Sequence, residues 1–332
     1  MDRSELLHGW LRECLGDEHF TLAPASADAS FRRYFRVTTS ARTRIVMDAP
    51  PEHEDCGPFI KVAGLLAGAG LNAPQVLAQD LERGFLLLTD LGTITYMAAL
   101  KEAPERADAL FSDASDALVR WQLASAPNVL PPYDSALLRR ELDLFPLWYI
   151  QRHLNLPLKD TQKNVIEQSF AAIIQSNLAQ PSVYVHRDYM PRNLMVTAPN
   201  PGILDFQDAV YGPITYDVAS LFKDAFISWD EQRVLDWTIR YWEKARQAAL
   251  PVGTDFATFY RDLEWMGLQR HLKILGIFAR LSYRDGKRGY LEDTPRFIAY
   301  VRAVCQRYGA LKPLLKLFDQ LQDHQQRIGA NP

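Results

Sequence analysis

The stretch that most limits what this chain can become is residues 182–208. It begins with Ser182-Val183-Tyr184-Val185, a short β-branched run. A polar loop follows, opening with His186-Arg187-Asp188 and closing at Asn193. Leu194-Met195-Val196 is a second short apolar run, and Pro199-Asn200-Pro201-Gly202 is dense in turn residues. Ile203-Leu204 then leads into Asp205-Phe206. The pattern predicts strand, loop, strand, hairpin, strand, with Asp188, Asn193 and Asp205 projecting from the ends of short adjacent strands.

Three oxygen-bearing side chains so spaced suit phosphoryl transfer. That chemistry asks for a carboxylate to take the proton of an attacking hydroxyl, and for oxygen ligands that hold magnesium against nucleotide phosphates. An aspartate within H-R-D-x-x-x-x-N fills the first role; the asparagine and a second aspartate, on Asp205-Phe206, fill the second. A loop that merely caps strands could hold the same residue types, but the full spacing is a specific match.

Further blocks carry a resemblance. They are Ala27-Asp28-Ala29-Ser30-Phe31-Arg32-Arg33-Tyr34-Phe35-Arg36, Val46-Met47-Asp48-Ala49-Pro50-Pro51, Asp80 to Leu88, the 186–195 loop and Leu204 to Pro213. Arg270-His271-Leu272-Lys273 and Gly276 to Arg280 complete them. Together they resemble the aminoglycoside phosphotransferase and choline kinase family, small-molecule kinases with a protein-kinase-like fold. Within it they look closest to the bacterial anomeric N-acetylmuramate/N-acetylglucosamine kinases of cell-wall recycling.

The resemblance implies an α+β, bilobal fold, with a mainly β N-lobe over residues 1–90 and a mainly α C-lobe over 91–332. It implies ATP and Mg2+ as cofactors and a small-molecule amino sugar as partner, phosphorylated on its C1 hydroxyl. Asp188 would be the general base, with Asn193 and Asp205 as metal ligands. Ser30 would lie in the hairpin that covers the phosphates, and Thr89 and Leu91 at the hinge that receives the adenine. His186 and Asp217 would brace the catalytic loop. Arg192, Arg270, His271 and Arg280 would face the acceptor.

One departure from the family pattern matters. The second hairpin strand reads Ile45-Val46-Met47-Asp48, without the lysine that holds the α- and β-phosphates in kinases. Either the chain is a non-catalytic scaffold or a nearby arginine supplies the charge. Arg33 is the first candidate, because alternation puts it on the otherwise apolar face with Phe31, Phe35 and Val37.

After the hinge the periodicity turns helical. Helices are expected over residues 105–124, 134–153, 161–179, 231–248, 255–283, 294–307 and 311–326. Amphipathic helices are also expected at 4–15 and 58–69, and a β-hairpin over 74–89. From Arg270 to Arg296 basic residues outnumber acids. Such a run is ordinarily a solvated face, yet a positive wall suits a neutral or carboxylate-bearing acceptor better than a polycationic aminoglycoside.

Composition narrows the rest. A net charge of −3 over 332 residues argues against a general nucleic-acid or polybasic membrane binder. Cys14, Cys56 and Cys305 lie far apart without metal-ligand spacing, as expected of a reduced cytoplasm. There is no apolar run of about 18 residues to span a bilayer and no signal-peptide pattern at the start. A protein kinase is disfavoured, because positions 206–216 leave no room for an activation loop. The alternatives to an amino-sugar kinase are an aminoglycoside, choline or other sugar kinase, or a non-catalytic kinase-like scaffold.

Overall fold

In chain order the elements are α1 (Arg3–Leu15), β1 (Thr21–Ser26), β2 (Arg33–Thr38), β3 (Thr43–Asp48), α2 (Gly57–Gly68), β4 (Val76–Asp80) and β5 (Phe85–Thr89). Then come α3 (Tyr96–Glu102), α4 (Ala107–Leu123), α5 (Ser135–Leu142), α6 (Asp160–Leu178), β6 (Ser182–Val185), β7 (Leu194–Met195), β8 (Gly202–Ile203) and β9 (Val210–Pro213). The chain closes with α7 (Tyr216–Phe222), α8 (Glu231–Gln247), α9 (Phe256–Asp285), α10 (Thr294–Arg307) and α11 (Lys312–Gly329). The structure, a computed structural model, describes residues 2–26 and 31–329. It divides into two compact units: Met1–Ala124 with Pro191–Ala209, and Ser125–Met190 with Val210–Pro332. The expected lobe division after residue 90 falls inside the first unit.

The first unit is built on an antiparallel sheet in the order β1-β2-β3-β5-β4. Its strands alternate, so one face carries Phe35, Val46 and Leu87 in register. Leu7, Trp10 and Leu11 of α1 recur at helical spacing and pack on that face with Val37, Val46, Phe85 and Leu87. Each such side chain, fully buried, contributes about 1.5–3 kcal/mol. Gly16 ends α1 in the left-handed conformation, at φ 61°. The segment 191–209 adds β7 and β8, which pair Leu194 with Ile203 and Met195 with Gly202.

The second unit is helical and centred on α9. Asp255 starts that helix by accepting from the Ala257 and Thr258 amides, both at 3.1 Å, and Gly286 ends it at φ 73°. Leu268, Leu272, Leu275 and Ala279 of α9 are buried against Phe145, Tyr149, Phe170, Phe297 and Phe318. Here β6 pairs with β9, Ser182 opposite Pro213 and Val185 opposite Val210.

Three expectations change. The helix expected over 134–153 is α5 followed by a π-helical segment, Phe145–His153. Pro146 lacks the N–H that α-helical bonding would need there. α9 also crowds this point: a Cβ on Gly276 would lie 2.4 Å from the Leu144 carbonyl carbon. The strands that frame the 186–193 loop are not neighbours in one sheet, since β6 joins β9 and β7 joins β8. Strand β1 and helix α3 had no sequence-based counterpart, and Ser30, expected over the phosphates, lies outside the described residues.

Candidate active site

The loop that carries Asp188 leaves β6 in the second unit. Its first two amides, of His186 and Arg187, donate to Asp217 at 2.6 and 3.0 Å. Asp217 opens α7 and is wholly buried. Burial pushes its carboxyl up, to about 7, against the pull of those two amides and of Arg270. Arg187 sits at φ 77°, a left-handed conformation costly for a residue with a Cβ. Its carbonyl accepts from Arg270 Nη1 at 2.9 Å, and its guanidinium donates to Glu141 Oε1 at 2.7 Å. The Asp188 amide approaches His186 Nδ1 at 3.3 Å, so that nitrogen is the acceptor of the ring. Asp188 itself is half-buried.

Glu141, from α5, is the centre of this arrangement and was not anticipated. It accepts from Arg187, from Lys273 Nζ at 2.8 Å, from Gln269 Nε2 at 3.0 Å and from the Tyr133 hydroxyl. Burial opposes its charge, but Lys273 and Arg187 outweigh burial and hold the carboxyl down at about 2. Tyr133 reaches it because Gly212 has no side chain; a Cβ there would lie 2.5 Å from Tyr133 Cβ. Lys273 also meets the Tyr216 hydroxyl at 3.1 Å, and Arg270 lies over the Tyr216 ring. A signal existed: Glu141 falls in the apolar stripe formed by Leu138, Leu142 and Phe145.

In the first unit, Asn193 and Asp205 are brought together by backbone pairing. The Leu204 amide donates to the Asn193 carbonyl at 2.9 Å, and Asn193 Nδ2 lies 3.3 Å from Asp205 Oδ2. Val196 and Ile203 donate to the carbonyls of Ile94 and Asn72, at 2.8 Å each. Phe206 packs tilted against Phe59 of α2, ring centres 4.8 Å apart. Asp205 is exposed and sits at φ 62°. The two side chains offer oxygen donors, which suit a hard cation. Magnesium commonly takes only one or two carboxylates, its remaining positions going to water and phosphate. The donor set therefore fits that ion. Among the described residues no cluster of three or more His, Cys, Asp or Glu could hold a metal unaided.

The other sequence candidates lie in varied surroundings. Arg33 donates to Asp48, whose second oxygen accepts from Arg3 of α1 at 2.7 Å. Thr89 exchanges bonds with Gln75, and Asp90 beside it accepts two bonds from Arg36 at 2.7 and 3.0 Å. Leu91 is half-buried, packed near Gly202. Arg192 is exposed. Arg270 is buried beneath the Asp188 loop. His271 stacks on Tyr300, and burial pushes its imidazole down to about 3. Arg280, near Arg284, is half-buried.

Residues 21–252 match the family described as Phosphotransferase enzyme family. Over 329 residues the chain is 51% identical to the N-acetylmuramate/N-acetylglucosamine kinase of Pseudomonas aeruginosa, covering 96% of this chain and 97% of that one. The kinase of the same name from Neisseria meningitidis is 49% identical over 324 residues, 97% of this chain and 96% of that one. A solved choline kinase from Cryptosporidium parvum superposes with a TM-score of 0.62 at 12% identity, covering 95% of this chain and 99% of that chain. The ADP-bound aminoglycoside phosphotransferase APH(2'')-Ib superposes at 0.58 with 14% identity, covering 89% of this chain and 97% of that chain. At those identities the two structures bear on fold, and they share the expected α+β, protein-kinase-like architecture. No helix among the described residues is long and apolar enough to cross a membrane. With its motifs, its fold and most of its length in agreement, the chain belongs to the phosphotransferase enzyme family.

Proposed function

We propose that this phosphotransferase moves the γ-phosphoryl group of ATP to the anomeric hydroxyl of N-acetylmuramate or N-acetylglucosamine. The product would be the sugar 1-phosphate, formed in the cytoplasm during cell-wall recycling. The observation that carries the reading is the braced Asp188 loop in a chain 51% identical to a relative with that kinase name. Asp188 accepts the proton of the attacking hydroxyl. Asp217, Glu141 and Arg270 fix the backbone from which it projects, so that little of its position is left to chance. Asn193 and Asp205 hold magnesium, which when bound neutralises charge on the phosphates.

The choice of hydroxyl follows from acidity. The ring oxygen withdraws charge from C1, making that hydroxyl the most acidic on a reducing sugar. A carboxylate is a weak base and is best matched to it, and the loose transition state needs little proton transfer before attack. The test is incubation with magnesium-ATP and either N-acetylglucosamine or its 1-O-methyl glycoside. Only the free sugar is expected to consume ATP, with product phosphorus coupled to H1 in the NMR spectrum. Turnover of the blocked glycoside, or coupling to the C6 protons, would make the enzyme a 6-kinase.

A further inference from the structure

We infer that Arg270 is an oxyanion site at the foot of the Asp188 loop, placed to take a charged oxygen group of the sugar: the lactyl carboxylate of N-acetylmuramate or the phosphoryl group arriving at C1. The inference rests on the amino-sugar reading above and deepens it by naming the contact that an anionic group on the acceptor would make.

A count of charges in the second unit singles this residue out. Three cations gather at the loop: Arg187, Lys273 and Arg270. Two of them end on Glu141, at 2.7 and 2.8 Å. Arg270 does not. It is only 5% exposed, and among the described residues no carboxylate lies within ion-pair distance of it. The charges of Asp188, Asp217 and Asp224 act on it from farther off. Asp217 is committed to the His186 and Arg187 amides, at 2.6 and 3.0 Å. Asp224 closes its own turn, accepting from the Phe226 and Ile227 amides at 2.9 and 3.1 Å. Asp188 is the proposed base. Burying an arginine without a paired anion is costly, because its hydration is lost and little replaces it. A ligand oxyanion would supply the missing partner.

The guanidinium is nonetheless held in one orientation. Its Nη1 donates to the Arg187 carbonyl at 2.9 Å, and the group lies over the Tyr216 ring, 4.6 Å from the ring centre. Tyr216 is fixed in turn by Lys273, whose Nζ donates to its hydroxyl at 3.1 Å. The carbonyl belongs to the residue just before Asp188, which places the guanidinium beside the proposed base. Nε and Nη2 meet no acceptor among the described residues, and neither nitrogen is sealed from the surface. Those two N–H groups form one side of the guanidinium fork, the side that takes a carboxylate or a phosphoryl group through two parallel bonds.

The test is calorimetric titration of the full-length protein, without nucleotide, with N-acetylmuramate, N-acetylglucosamine 1-phosphate and N-acetylglucosamine. In Arg270→Met the loss of affinity for an anionic ligand is expected to exceed that for the neutral sugar roughly 10–100-fold. A loss confined to N-acetylmuramate identifies the carboxylate, and one confined to the 1-phosphate identifies the phosphoryl group. Arg270→Lys, which keeps the charge without the fork, should lose less. Equal weakening of all three ligands would reduce Arg270 to a brace for the Arg187 carbonyl and overturn the assignment, as would unchanged affinity throughout. Should Arg270→Met fail to fold, Arg270→Lys decides by the same comparison. Wild type that binds none of the three sugars would sink the proposed acceptor. Titration with inorganic phosphate, which Arg270→Met should weaken, then decides the oxyanion site alone.

Discussion

The Asp188 loop and the 193–205 segment present two ways of holding a reactive oxygen. The loop is fixed by charge: two backbone amides end on buried Asp217, and Arg187 ends on Glu141, which three other donors also reach. The segment is fixed by strand pairing and one aromatic contact, and leaves Asp205 exposed. The difference suits the tasks proposed above. A proton acceptor works by position, so rigidity around its backbone is an advantage. The Asp205 oxygens, which meet Asn193 and Gln207, stay at the surface, as a metal ligand that exchanges water for an ion would need.

The largest effect that tests this contrast is Asp205→Ala, expected to abolish turnover while weakening nucleotide binding only when magnesium is present. Equal weakening with and without metal would give Asp205 a structural task and erase the contrast. Asp188→Asn is expected to keep fold and nucleotide affinity but lose roughly 10²–10⁴ in kcat. Near-normal kcat would remove Asp188 from the base role. Glu141→Gln is expected to act chiefly on stability, by about 3–5 kcal/mol, because Arg187 and Lys273 would stay buried without their countercharge. The sign with pH is fixed by the folded carboxyl titrating at about 2, below its ordinary 4.5. Stability from Glu141 is complete above the ordinary value and is lost as pH falls through about 2. The difference between wild type and Glu141→Gln in denaturant midpoint should therefore shrink on acidification. A gap that stays constant would mean that packing, not charge, holds the loop.

What could be read in advance follows the range of the interactions. Most of the helices expected after the hinge were legible because their apolar spacing is local, the 134–153 segment excepted; α8, α9 and α10 lie within two residues of expectation. The pairing of β6 with β9 was not, since it joins Val183 to Gly212 across the whole intervening loop. Asp188, Asn193 and Asp205 are singled out by their spacing in the sequence. Glu141 left only the weaker sign of its place in an apolar stripe, and its partner Lys273 lies 132 positions away. For Arg33, alternation gives the face it shares with Phe35 and Val37, and the helix that packs on that face, α1, comes from the tertiary structure.

The cluster around Glu141 also bears on how the chain folds. Its partners lie 8, 46, 128 and 132 positions away, so closing it requires large loops to be closed first. Interactions of that kind are commonly absent when the folding barrier is crossed. We expect Glu141→Gln to speed unfolding while leaving the refolding rate nearly unchanged. Stopped-flow chevrons for both proteins would show this as a shift of the unfolding arm alone, and a shifted refolding arm would contradict it. The loop bearing Asp188 would then be among the last parts of the second unit to become ordered.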